Sequence, residues 1–263
     1  MIDQINYKIE GKKTSQAILF LHGFLGSSKI WNQTLPFFKD NYLILTMDLP
    51  GHGKTPCNEE VLSMSECADA VHQIIKKIGL DKVHIVGHSM GGYVGLELLS
   101  NYPEVVRSIT LLNSTAKEDS IQKKKDRLLA VKVFDRSPEV FITAAIENLF
   151  YAPNLKLFPS EVSSLQKTAL ETSIKGAQAS LRGMRERRDY RKLVRETKIP
   201  VHFIAGRFDN TVLYSTILQQ IENTNIKLTT LESGHMGFVE SFEEYILALQ
   251  AFITESNENF IPN

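Results

Sequence analysis

Three side chains of this 263-residue sequence have the types and the order needed to split an acyl bond: Ser89 in GHSMGG, Asp209 in GRFDN and His235 in ESGHMGFVE. A serine hydroxyl is a weak nucleophile near neutral pH. It needs an imidazole to take its proton, and the imidazole needs a carboxylate to hold its tautomer. Ser89 follows a short apolar run, VHIV at 83–86, that reads as a buried strand, and precedes apolar residues at helical spacing, Met90, Val94 and Leu98. The chain must reverse within a few residues, and Gly87 and Gly91 remove the Cβ atoms that would collide in so tight a turn. The Ser89 hydroxyl is therefore expected to stand at the top of the sheet. The amide of Met90 opens the following helix, where N–H groups lack internal partners and the dipole favours negative charge, which is half of an oxyanion hole. The other half is expected from HGFLGSS, residues 22–28, with the Phe24 amide as donor. Gly23, Phe24, Leu25 and Tyr93 are the candidate substrate contacts.

His235 is chosen among seven histidines by position. It lies between the last strand and the last helix, at the carboxyl edge of a parallel sheet, where ligands bind in such folds. His72 lies in a capped helix away from its apolar stripe, His84 and His202 lie in strands, His88 is the variable residue of the elbow, and His22 and His52 are flanked by glycines. Asp209 is the only carboxylate of its loop and gives the order Ser, Asp, His. The loop after Leu112 offers Asn113 and Ser114 but no carboxylate. Asp48 in MDLPGHG is the competing acid, although Pro50, Gly51 and Gly53 mark it as the organiser of a tight loop.

The elements that must position these groups alternate. Strands are expected at 7–10, 17–21, 42–47, 83–86, 106–112, 201–205 and 226–231. One helix containing Trp31, itself read as a packing residue, is expected between the second and third strands, and a helix at 63–78 is announced by the Ser63/Glu66 capping box. Such alternation implies an α/β fold with a mostly parallel sheet. From 117 to 196 the pattern changes to helix-like segments alone. This block reads as a helical lid inserted into a core made of 1–116 and 197–263. The basic run MRERRD, 184–189, reads most simply as a solvated face of the lid, with anion binding as the alternative.

Thirty Lys plus Arg balance thirty Asp plus Glu, which gives no footprint for a nucleic acid or an anionic membrane. No apolar run reaches the length of a membrane span, and the start, MIDQINYKIEGKK, lacks the pattern of a signal peptide, so a cytoplasmic location is expected. Cys57 and Cys67 have no metal spacing and read as free thiols. No cofactor or metal is expected, and the expected partner is a small-molecule ester.

LHGFLGSSKIW, DLPGHG, GHSMGG, GRFDN and SGHMGFVE, in this order, resemble the α/β-hydrolase fold family, specifically its lidded serine-hydrolase branch. The resemblance covers about 15–115 and 197–254. By position it implies Ser89 as nucleophile, His235 as base, Asp209 as orienting acid and the Phe24 and Met90 amides as oxyanion hole. The resemblance does not fix the reaction; the expected activity is hydrolysis of carboxylic esters of small or medium acyl groups through an acyl-serine intermediate. The N-terminal motifs are also similar to SHCHC synthase, a lyase in which an arginine directly follows the GG of the elbow; Tyr93 stands there in this chain. A lyase or C–C hydrolase on the same triad, and a receptor that keeps the triad without turnover, remain the alternatives.

Overall fold

A computed structural model describes residues 4–13 and 16–258. The outermost residues of the expected core division, 1–3 and 259–263, lie outside the described residues, as do the first residues read for a leader. Among the described residues seven strands form one sheet: β1 (Tyr7–Gly11), β2 (Ala17–Leu21), β3 (Leu43–Met47), β4 (Val83–His88), β5 (Val106–Leu112), β6 (Val201–Gly206) and β7 (Lys227–Leu231). Their order is β1-β3-β2-β4-β5-β6-β7, with β1 antiparallel to β3 and every other pair parallel. The α/β architecture read from the alternation is the one observed.

Both faces of the sheet are covered at its centre, which explains why β2 and β3 are buried along their whole length rather than at alternate residues, whereas the edge strands β1 and β7 are partly exposed. Leu19, Leu21, Leu45 and Ile85 pack on one side with α1 (Met64–Lys77) and α2 (Met90–Asn101). Ile18, Phe20, Ile44 and Val86 pack on the other with Trp31 and α10 (Phe242–Glu258). The α1 capping box is formed: Ser63 Oγ accepts from Glu66 N at 3.1 Å, and the Glu66 carboxylate accepts from Ser63 N at 2.8 Å. Gly79, at φ +69°, ends that helix in the left-handed region that other residues avoid.

The single helix expected around Trp31 is instead two short 3₁₀ turns, Ser28–Trp31 and Leu35–Phe37. Pro36 accounts for the break, because it lacks an N–H and disfavours the helical conformation of the residue before it. Trp31 is fully buried, as expected of a packing residue. His72, expected off the apolar stripe, is in fact buried, its ring stacked on Tyr102 with centroids 3.7 Å apart.

The described segment between β5 and β6 holds helices joined by loops and no strand: α3 (Ile121–Arg136), α4 (Pro138–Glu147), a 3₁₀ turn at Ala152–Lys156, α5 (Pro159–Leu170), α6 (Ile174–Arg185) and α7 (Arg191–Glu196). Its two ends meet, since Tyr190 N donates to Ala116 O at 2.7 Å. Two helices escaped the sequence reading, α8 (Tyr214–Ile221), packed on β6, and the one-turn α9 (Gly237–Glu240) that precedes α10. Among the described residues no helix is long and apolar enough to cross a membrane, and Cys57 and Cys67 are free thiols.

Four buried imidazoles make folding sensitive to acid. Burial pushes His52, His88 and His202 down to about 3 and His84 down to about 4, from 6.5. Between about pH 4 and 6.5 the unfolded chain therefore binds protons that the folded chain refuses, so stability rises with pH across that window. Their contribution is complete above 6.5 and is lost as pH falls. At pH 5 each imidazole subtracts up to about 2 kcal/mol. Urea unfolding midpoints are expected to drop steeply between pH 7 and 5; a flat profile would contradict the burial of these rings as neutral groups.

Candidate active site

The expected site residues all follow carboxyl ends of strands. Phe24 follows β2, Ser89 follows β4, Asp209 follows β6 and His235 follows β7. The chain order reverses along the sheet at β2 and β4, which creates a crevice at that edge. Ser89 is held at φ 50° and ψ −114°, a strained conformation for a residue with a side chain. The turn survives because its glycines let α2 press onto the sheet: a Cβ on Gly87 would lie 2.6 Å from Gly92 Cα, and one on Gly91 would collide with the Leu21 carbonyl. Ser89 N donates to Leu112 O at 3.0 Å, and the Ser114 hydroxyl donates to Ser89 O at 2.7 Å, so the elbow is tied to β5 at both sides.

Asp209 and His235 are brought together by β6 and β7. His235 Nδ1 lies 2.7 Å from Asp209 Oδ2, and both side chains are buried. The carboxylate must accept, which places the proton on Nδ1 and leaves Nε2 as a lone pair. Asp209 also accepts from the amides of Thr211 at 2.7 Å and Val212 at 2.8 Å, and from Asn113 Nδ2 at 3.1 Å. Burial opposes ionisation of Asp209, but His235 and the two amides outweigh it and hold the carboxyl below the usual carboxylate range. His235 is fixed from behind: its amide donates to Leu149 O at 2.6 Å and its carbonyl accepts from His88 Nε2 at 3.0 Å. Glu240 clamps the same loop, accepting from Gly234 N at 3.0 Å and Tyr151 N at 2.9 Å. Ser89 Oγ makes no hydrogen bond to the imidazole here. Such bonds commonly tighten only when a substrate seats.

The HGFLGSS loop is organised by Asp48, the competing acid. Its carboxylate accepts from Ser28 N and Ser28 Oγ at 2.7 Å, from Asn6 Nδ2 at 2.8 Å and from Lys54 N at 3.0 Å. Burial resists that charge, but the donors prevail and its acidity is raised. Behind the loop His22 Nε2 accepts from Leu49 N at 2.9 Å, and its Nδ1 donates to Gly23 O at 2.8 Å. Gly23 has no room for a side chain, since a Cβ there would lie 2.7 Å from His88 Nδ1. Leu25 completes the turn at φ 60°. The Phe24 and Met90 amides, on either side of Ser89, donate to no backbone carbonyl outside the helices and strands among the described residues.

A cavity of about 270 Å³ opens above Ser89, lined among others by Phe24, Leu25, His88, Tyr93 and His235. Helices α3 and α4 and the 115–120 segment supply much of its roof. The run MRERRD is not a uniformly solvated face. Arg187 is 8% exposed and lines the cavity, with its Cζ 4.1 Å from the centre of the Tyr93 ring. Arg188 reaches back to the buried Glu97 of α2, while Arg185 pairs with Glu186 at the surface. The reason is the cation–π face of Tyr93 and the buried Asp119, which draw Arg187 inward, and the buried Glu97, which holds the half-exposed Arg188 against α2.

A profile of the alpha/beta hydrolase fold matches residues 16–242. The chain belongs to that family. A Bacillus subtilis (strain 168) protein named "Putative 2-succinyl-6-hydroxy-2,4-cyclohexadiene-1-carboxylate synthase" is 26% identical over 96% of both chains. An Arabidopsis thaliana protein named "Probable lysophospholipase BODYGUARD 4" is 33% identical over 42% of this chain, which spans only 27% of that one. Among solved structures, an esterase of Thermogutta terrifontis with malate bound superposes with TM-score 0.87 at 22% identity, covering 96% of this chain and 93% of the other. The enol-lactonase of Burkholderia xenovorans LB400 gives TM-score 0.88 at 17% identity, with 95% and 96% covered.

Within this α/β hydrolase fold, several residues around the site carried no usable signal in the sequence. Asn113, at φ 45°, spends both hydrogens of its amide on the loops of Asp209 and His235, donating to Asp209 Oδ2 and at 3.0 Å to Gly234 O. Its position after β5 drew attention only because a carboxylate was absent there. His88 was set aside as variable, yet its ring lies 5.0 Å from that of His235. Burial, then the neighbouring His235, keeps it neutral.

Proposed function

We propose that this chain is a serine esterase that hydrolyses carboxylic esters of small or medium acyl groups through an acyl-serine intermediate. The observation that carries the reading is the His235–Asp209 pair, 2.7 Å apart, with His235 lining the same cavity as a serine on a strained elbow. His235 Nε2 takes the Ser89 proton as Oγ attacks the ester carbonyl. The Phe24 and Met90 amides receive the charge that develops on the carbonyl oxygen. Collapse expels the alcohol, which leaves with the proton from the imidazolium. Water, activated by the same nitrogen, then cleaves the acyl-serine and releases the acid. Asp209 holds the ring and offsets its transient charge. Phe24, Leu25 and Tyr93 touch the substrate, while Gly23 keeps the backbone close enough for its neighbour's amide to reach. Residues 117–196 act as the lid, and a cavity of about 270 Å³ suits a short or medium chain.

The second reading is a lyase or C–C hydrolase on the same triad. It is favoured by the full-length similarity to the Bacillus subtilis synthase-named protein and by Arg187, which lays a guanidinium over the very residue, Tyr93, that replaces the expected elbow arginine. A 4-nitrophenyl ester series from acetate to octanoate separates the readings. The esterase cycles many times with a maximum at short or medium length. Binding of the esters without sustained turnover would instead identify a receptor pocket, and inertness toward the whole series would discard the esterase reading.

A further inference from the structure

We infer that the substrate carries a free carboxylate, seated against Arg187 and Lys123 at the roof of the cavity, so that the preferred esters are anionic. This rests on the esterase reading for its chemistry but on a separate group of residues. Lys123, Arg127 and Arg187 all line the cavity above Ser89, and the buried carboxylate there is Asp119. Asp119 is shared by two guanidiniums, Arg127 through Nε and Arg187 through a terminal nitrogen. One carboxylate cannot balance three cations. Glu118, also at the cavity, is engaged by Lys124 at 2.9 Å, and Asp126, near Lys123, accepts from Gln122 at 2.8 Å on the outer surface. Lys117 adds a further cation at the rim.

The cluster is largely enclosed, with Lys123 half-buried at its edge. The side chains of Arg187 and Arg127 are 6% and 11% exposed. Arg187 donates to Lys117 O at 2.9 Å and to Met184 O at 3.3 Å, yet its buried Nε has no acceptor. Lys123 forms no ion pair among the described residues, and burial, followed by Arg127, lowers its proton affinity. Enclosed positive charge without a counter-ion is costly, and a bound carboxylate relieves it with charge-assisted hydrogen bonds. The location suits a substrate group. Arg187 stacks on Tyr93, which stands one helical turn beyond Ser89 on α2, about 6 Å along the axis. An acid bridging that gap needs only a few carbons.

Two pairs of probes test this: 4-nitrophenyl hydrogen glutarate against 4-nitrophenyl pentanoate, and 3-(pentanoyloxy)propanoate against propyl pentanoate, which place the carboxylate on the acyl and alcohol sides. At least one anionic probe is expected to exceed its neutral counterpart by tenfold or more in kcat/KM. Lys123→Gln should cut that ratio at least tenfold, mainly through KM, whereas Arg185→Gln, a surface control, should keep it. In parallel, Ser89→Ala protein titrated calorimetrically with monomethyl glutarate should bind, and Ser89→Ala/Lys123→Gln should bind at least tenfold more weakly. Anion binding without ester turnover would remove the esterase reading and leave the anion site standing. Brisk turnover of neutral esters with no anionic preference and no such binding would overturn the inference, as would a preference that survives Lys123→Gln undiminished. The ion cluster would then be a structural tie between the ends of the helical block.

Discussion

Ser89→Ala is expected to lose ester turnover by about five to six orders of magnitude while folding as the parent does. The substitution removes the attacking atom and almost no buried volume, and alanine has the same Cβ that the strained elbow already accommodates. The hydroxyl gives no hydrogen bond to His235, so its loss leaves no broken network behind. The parent should react with a fluorophosphonate probe and the modified peptide should contain Ser89. Labelling at another residue, or none in a preparation that turns over esters, would falsify the assignment of the nucleophile.

Asp209→Asn should fold and lose activity by roughly three to four orders of magnitude. An asparagine can still accept from Thr211 and Val212 through its oxygen, but its NH₂ then faces His235 Nδ1 and selects the tautomer that presents a hydrogen to the serine. The amide also cannot offset the imidazolium. Asp48→Asn behaves differently: it weakens the four hydrogen bonds that pin the loops at Ser28, Asn6 and Lys54, so the expected result is a lower unfolding midpoint with substantial activity in the folded fraction. Paired measurements of kcat and thermal midpoint decide between the two acids. A dead but stable Asp48→Asn beside an active Asp209→Asn would reverse the roles.

The core was legible in the sequence where a local rule was strong. Buried strands announced themselves as apolar runs, α1 through its capping box, and the elbow through glycines whose Cβ atoms have no space. Asp48 was readable as a loop organiser because Pro and Gly surround it. What stayed hidden depends on contacts between distant segments. His72 lies off the stripe of its own helix and is covered by Tyr102 from the next. Asn113 is engaged only after β6 and β7 deliver their loops to it. The MRERRD run is charged at every position but the first, so periodicity could not show that Arg187 would turn inward to Asp119 and Tyr93. A short 3₁₀ pair around Pro36 imitates an amphipathic helix until proline's missing N–H is weighed.

The insertion of the helices between β5 and β6 also has a kinetic side. These strands are hydrogen-bonded neighbours, yet 88 residues lie between Leu112 and Val201. On a ribosome working at 5–20 residues per second, roughly 4 to 18 s elapse between the emergence of the two edges. Throughout that interval β5 offers an apolar strand with an unsatisfied row of backbone groups, next to the strand that leads into Ser89. Such an edge invites pairing with another chain. Chaperone demand and losses to aggregation during expression should therefore respond to translation speed across 113–200, a stretch that contains none of Ser89, Asp209 and His235.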